Sequence, residues 1–186
     1  FRKKVYQLTG LDIYAASAHG KDYPYAFMPP TLVLDPGDNL RINLANRLGE
    51  PTNLHTHGFF ISPSGNQDNI FVDLISGKSI LYNYYLPQGL SPGSYWYHPH
   101  YHPLVEEQVF GGLSGFIYIR GIEALLPPDL RRVTHQFLGL KDFQVNRSNS
   151  IPSENINSDS PTHRTINGLV QPVMTMRPGE TQLWHL

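Results

Sequence analysis

The chain has 186 residues, with 14 Lys+Arg against 15 Asp+Glu and no cysteine, enough for one domain, or one and part of a second, around a real core. A net charge of -1 with only 16% charged residues shows neither a basic patch nor a charge block, so nucleic acid and membrane surfaces are not expected partners. Zero cysteine removes disulfides, thiolate nucleophiles, cysteine-based zinc and iron–sulfur sites, and any copper site that uses a Cys ligand.

The 16 Gly and 16 Pro, together about 17% of the chain against roughly 12% in average sequences, leave little room for long helices. Aromatic residues at 12%, 11 of them Tyr, join many Val, Ile and Thr in favouring strands. The expected class is all-β. No run of about 18 apolar residues exists, so no membrane span by a helix is expected. The chain opens Phe1-Arg2-Lys3-Lys4 without a long apolar segment, which fits a mature or trimmed start.

In chain order, residues 5–16 and 31–46 read as strands, the second region broken by a Pro36-Gly37-Asp38 turn, after which Leu40, Ile42 and Leu44 alternate with Asn39, Arg41 and Asn43. Further strands are expected at 53–61, 79–86, 93–98 and 113–120. Such spacing, with Gly/Pro/Ser turns between, is that of a sandwich or Greek-key barrel. Residues 121–130, centred on Pro127-Pro128, read as a linker, and the polar stretch 146–162 as a long surface loop. Asn146-Arg-Ser148 is a glycosylation sequon only in a secreted eukaryotic protein.

One pattern occurs twice. Pro30 to Asp38 (PTLVLDPGD), leading to Leu44, returns at an offset of 142 as Pro172 to Glu180 (PVMTMRPGE), leading to Leu186. Either two short turn motifs coincide or one β domain is repeated in tandem. Under the second reading the first copy runs on to about Arg120 while the second stops inside a strand, so the chain is expected to be part of a longer protein.

Nine His are present, five of them in two groups: Asn53-Leu-His55-Thr-His57-Gly58 and Tyr95-Trp-Tyr-His98-Pro-His100-Tyr-His102. Residues i and i+2 of a strand share a face, about 7 Å apart, so each group can aim two imidazoles at one point. Imidazole suits Cu, Zn, Fe or Ni, and without Cys the thiolate options vanish. Gly58 fits a close backbone approach. One such pair is as well explained by hydrogen-bonded histidines, whereas two in one domain point to a shared metal site. His102 either continues the row or merely points the same way, and Pro103 with Glu106-Glu107 suggests that the strand has ended. His19, His135, His163 and His185 read as ordinary hydrogen-bonded residues. Trp96 and Tyr97 flank the second group and are more readily packing residues than electron relays.

HTHG at 55–58, GSYWYHPH at 93–100 and GGLSGFIYI at 111–119, in that order and spacing, resemble the amino-terminal part of the laccase-like multicopper oxidases, which are built from tandem cupredoxin domains. INGLVQPVMTMRPGETQLWHL at 166–186 resembles the start of their second domain. The resemblance implies a cupredoxin-like Greek-key sandwich or barrel at 1–125 carrying both His motifs, then a linker and an incomplete second copy at 126–186. It further implies a copper cofactor, with His55 on the type 2 ion and His57, His98 and His100 on the type 3 pair of a trinuclear centre. The family's other ligands, in HxxHxH and HCHxxxH motifs, are absent from this sequence. The implied reaction couples one-electron oxidation of a small reducing substrate (a phenol, a low-valent metal ion or a bilirubin-like pigment) to reduction of O2 to water. The implied partner is the remainder of the oxidase, so the 186 residues alone are expected to be inactive. The implied location is periplasmic or extracellular.

Protons must also reach the oxygen. By resemblance a carboxylate soon after HxHG serves as relay, and Asp68 is the first candidate, Asp73 the second. A turn-capping role explains Asp68 equally well on local chemistry. The alternatives are a metal-binding module without redox turnover and a structural domain that kept the fold and lost the chemistry. A blue-copper carrier is excluded by the absent Cys.

Overall fold

The computed structural model describes residues 29–144, 151 and 161–186, with the backbone of 13–14. Most of the 5–16 strand, His19, the sequon at Asn146 and nearly all of the 146–162 loop lie outside the described residues.

The strands are β1 (Ile13–Tyr14), β2 (Thr31–Leu34), β3 (Asn39–Ala45), β4 (His55–His57), β5 (Ser79–Tyr85), β6 (Gly93–His98), β7 (Gly115–Ile119), β8 (Thr134–Phe137), β9 (Leu140–Phe143), β10 (His163–Ile166) and β11 (Gln182–His185). β1, β2, β7, β6 and β4 form one five-stranded sheet in that order. Only β2 and β7 are parallel in it. β3 and β5 pair antiparallel as a second layer.

The predicted alternation in β3 is what joins the layers. Leu40, Ile42 and Leu44 are buried while Asn39, Arg41, Asn43 and Ala45 are exposed. The buried side meets Leu32 and Leu34 of β2 and Ile117 and Ile119 of β7 in one apolar cluster. Tyr82 and Tyr84 of β5 are wholly buried there, their rings parallel at 5.5 Å. Their hydroxyls are satisfied across the sandwich: Tyr82 accepts from the Leu54 N–H (3.2 Å) and Tyr84 donates to the Leu54 carbonyl (3.4 Å). Residues 93–98 are a strand as expected, whereas the strand expected over 53–61 is shortened to three residues. Gly58 ends it at φ 89°, a conformation that suits Gly alone.

The sequence pattern did not foresee helix α1 (Val105–Phe110). Six residues are too few for a helix to persist by propensity. This one is held by Gln108, fully buried, whose amide reaches Thr52 Oγ1, the Pro51 carbonyl and Glu50 Oε1. Glu106 and Glu107 lie in its first turn, where the helix dipole favours negative charge. The expected linker contains a short 3₁₀ turn, Ile122–Leu125.

Beyond it, β8 pairs parallel with β11 and β9 antiparallel with β10. The duplicated pattern is a duplicated turn. Gly37 (φ 87°) and Gly179 (φ 80°) take the same left-handed conformation. Asp38 accepts from the Asp35 N–H and Glu180 from the Arg177 N–H, each at 2.8 Å. The legs before the turns differ: 31–34 is a strand and 173–176 is not.

Candidate metal centre

The centre forms where β4 meets β6. These strands are antiparallel, with His55 opposite His98 and His57 opposite Trp96. β6 alternates, so Tyr95 and Tyr97 pack on the core, and Trp96 and His98 point to the opposite face. There Trp96 stacks on His57 at 5.0 Å and on His98 at 4.0 Å. Trp96 thus packs, as expected, but what it packs against is the imidazoles. Tyr97 is buried and donates to the Pro30 carbonyl (2.8 Å).

One ring nitrogen from each of His55, His57 and His98 lies within 4.8 Å of the others. His100 adjoins them, its ring 5.2 Å from His55 and 5.9 Å from His98. β6 ends at His98, so His100 is brought in by the chain after the strand rather than by strand alternation. His102 lies farther out, exposed, its ring 5.3 Å from His100.

Hydrogen bonds set which nitrogens face inward. His98 Nδ1 lies 2.9 Å from the Pro99 carbonyl, which can only accept, so Nδ1 carries the hydrogen and Nε2 keeps its lone pair. That Nε2 faces His57 Nδ1 at 3.4 Å. His55 Nδ1 lies 3.0 Å from the Asp68 carboxylate, which by the same argument leaves the His55 Nε2 lone pair free. Burial depresses the His98 pKa from 6.5 to about 4, with the neighbouring imidazoles adding to the effect. His98 is therefore neutral at neutral pH. Among the described residues, the buried His100 Nδ1 has no hydrogen-bond partner. Ring nitrogens that converge here, together with one orphaned buried ring nitrogen, form a donor set suited to a copper ion.

Asp68 makes two contacts with β4. Its carboxylate meets His55 Nδ1 and also accepts from the Thr56 N–H at 2.8 Å, and it is largely buried. Asp73, the second candidate, hydrogen-bonds Tyr101.

Sequence reasoning missed a second grouping. His135 and His185 are not isolated: His135 Nδ1 lies 3.2 Å from His185 Nε2, 3.5 Å from the Tyr118 hydroxyl and 3.5 Å from Glu123 Oε1. Fifty residues separate the two, and no local motif could have announced the pair. A cleft of about 630 Å³ also opens beside Trp96 and His98, lined among others by Phe110, Phe116, Lys141 and Leu186. Lys141 donates there to the Gly112 and Ser114 carbonyls, and burial lowers its pKa to about 7.

A family model described as multicopper oxidase matches residues 19–123. The chain is 30% identical over 161 residues to the multicopper oxidase mco of Staphylococcus aureus, covering 83% of this chain and 34% of that protein. It is 36% identical over 100 residues to laccase-2 of Pleurotus ostreatus, covering 48% of this chain and 18% of that one. A multicopper oxidase structure from Campylobacter jejuni, described as a metallo-oxidase, superposes with a TM-score of 0.66 at 31% identity, over 77% of this chain and 30% of that one. Two McoA structures from Aquifex aeolicus, one of them a variant, share the fold at 24% and 23% identity with TM-scores of 0.62 and 0.61. The chain thus spans about a third or less of the proteins it matches. With a strand-built, cupredoxin-like fold and a match across more than half its length, the chain belongs to the multicopper oxidase family.

Proposed function

We propose that this chain supplies half of the ligands of a trinuclear copper centre in a laccase-like oxidase, His55 to the type 2 ion and His57, His98 and His100 to the type 3 pair. The observation that carries this reading is the convergence of the His55, His57 and His98 ring nitrogens within 4.8 Å, with two tautomers fixed so that lone pairs face inward. Copper when bound supplies the redox chemistry by which electrons from a small reducing substrate, a phenol or a low-valent metal ion, reach O2 and water forms. The residues do the rest. Asp68 holds the hydrogen of His55 Nδ1 in place and, as the carboxylate nearest that imidazole, serves as the proton relay. Trp96 fixes the ring planes of His57 and His98 by stacking.

In this reading residues 1–125 are the copper-bearing cupredoxin domain and 126–186 a linker with part of a second. The remaining ligands come from another cupredoxin domain of the same oxidase, which works in the periplasm or outside the cell. The 186 residues alone bind copper without turning over O2. The test is reconstitution with Cu(II) followed by metal analysis and electron paramagnetic resonance, on the wild-type chain and a His55→Ala/His98→Ala double variant. Copper bound by the first and lost by the second is expected. No copper on the wild type, or equal copper on both, refutes the proposal.

A further inference from the structure

Besides the imidazoles and Asp68, a buried polar side chain, Asn53, bonds to segments on either side of the centre. Asn53 is fully buried. Its Oδ1 accepts from the His100 backbone N–H at 2.6 Å. Its Nδ2 donates to the Ile70 carbonyl at 2.7 Å and lies 3.4 Å from the Val72 carbonyl. It stands two residues before His55, and Ile70 stands two residues after Asp68. A single carboxamide therefore connects the chain entering β4, the chain leaving β6 and the loop that carries the His55 partner.

The base of this connection is itself fixed. Thr52 is bridged to Leu74 by two backbone hydrogen bonds of 3.1 Å and its hydroxyl is bonded to Gln108 at 2.7 Å. Leu54 is held by Tyr82 and Tyr84. Between two pinned neighbours the Asn53 side chain cannot drift with the backbone, so whatever it holds is held at a set distance from β4. His100 needs this, because it lies past the end of β6, outside the ladder that sets the position of His98. An amide is also the side chain that suits both partners: one oxygen to accept from an N–H and one NH2 to donate to a carbonyl.

We infer that Asn53 is a positioning residue that places the His100 imidazole against His55 and His98 before any metal arrives, and that anchors the Asp68 loop in the same act. This rests on the reading that these imidazoles hold copper. Partners that orient ligands from behind are commonly worth 10–100-fold in metal affinity, and Asn53 is expected to fall in that range.

The experiment compares Cu(II) affinity per folded chain, by competition with a chelator, and the copper resonance spectrum for wild type, Asn53→Ala, Asn53→Ser and Ile117→Ala. Ile117 is a fully buried core residue in β7, so its truncation lowers stability without touching the connection. The expected result is a 10–100-fold loss of affinity and an altered spectrum in both Asn53 variants, with Ile117→Ala binding and looking like wild type at a comparable loss of melting temperature. Wild-type affinity and spectrum in a folded Asn53 variant overturn the inference, as does an Ile117→Ala effect of the same size.

Amide exchange on the metal-free wild-type chain requires no variant. Protection at the His100 amide before copper is added supports preplacement, and free exchange there overturns it even if both Asn53 variants fail to fold. A wild-type chain that takes up no copper fails the underlying reading instead, and is recognised by the wild-type arm alone.

Discussion

Replacing Asp68 by Asn changes one atom's chemistry and leaves the shape intact, which makes the outcome easy to assign. The carboxylate lies 3.0 Å from His55 Nδ1 through either oxygen and accepts from the Thr56 N–H at 2.8 Å. An amide that keeps its oxygen toward Thr56 replaces a charged acceptor of His55 Nδ1 by a neutral one and sets an NH2 donor where the second carboxylate oxygen stood, 3.0 Å from the same nitrogen. His55 then either turns away or moves its hydrogen to Nε2, the nitrogen that faces the other imidazoles. A hydrogen bond to a charged acceptor contributes about 1.5–3 kcal/mol, and a lost partner behind a ligand about 10–100-fold in metal affinity. The two agree, since tenfold is about 1.4 kcal/mol. Asp68→Asn is therefore expected to melt within a few degrees of wild type and to bind Cu(II) about 10–100-fold more weakly, as read by competitive titration. Unchanged affinity in the folded variant would refute the claim that Asp68 sets the His55 tautomer.

Three further outcomes follow from other parts of the molecule. A Cβ at Gly115 would lie 2.5–2.8 Å from the ring and hydroxyl of Tyr97, its partner across the β6–β7 pair, so Gly115→Ala should lose about 1–3 kcal/mol by overcrowding in urea unfolding; a neutral result would mean that the Tyr97 ring is free to shift. Tyr82→Phe leaves the buried Leu54 N–H without its acceptor and should destabilise by about 1–3 kcal/mol, measured the same way. Burial, and then the neighbouring His135, lower the pKa of His185 below 6.5. The unfolded chain then binds the proton more readily than the folded one, so this contact's stability is full above pH 6.5 and declines as pH falls below it toward the depressed folded value. Glu123 opposes the shift, while Tyr118 and His135 also face the ring. His185→Gln should flatten the difference in urea midpoint between pH 8 and pH 5.5, and an equal pH dependence in both proteins would count against it.

Much of this was legible from residues alone where the signal is local. The period-2 alternation of β3 predicted its buried face correctly, and the two Pro-Gly turns announced a repetition that reappears in dihedral angles and hydrogen bonds. The His55/His57 pair was readable because a strand imposes its spacing, whereas His100 reaches the centre from beyond the end of β6. Asp68 could be nominated by its place after the motif, but its contact with His55, thirteen residues away, could not be read from local sequence. α1 stayed hidden because its six residues are held by what Gln108 bonds outside the helix, at Glu50, Pro51 and Thr52. Asn53 looked like part of a motif's margin, since its three partners belong to segments 17 to 47 residues distant. His135 and His185 were each ordinary until β8 and β11 came together.

The two buried tyrosines of β5, Tyr82 and Tyr84, bear on how β4 opens to solvent. β4 is the outermost strand of its sheet, paired on one side only, and outermost strands usually exchange their amides first, through local fraying rather than global unfolding. Leu54, at its entrance, is instead tied to the opposite layer by Tyr82 and Tyr84. Its amide should exchange as slowly as those at the centre of β7. Exchange that slow would place the His55 end of the sheet among the last parts of the protein to come apart.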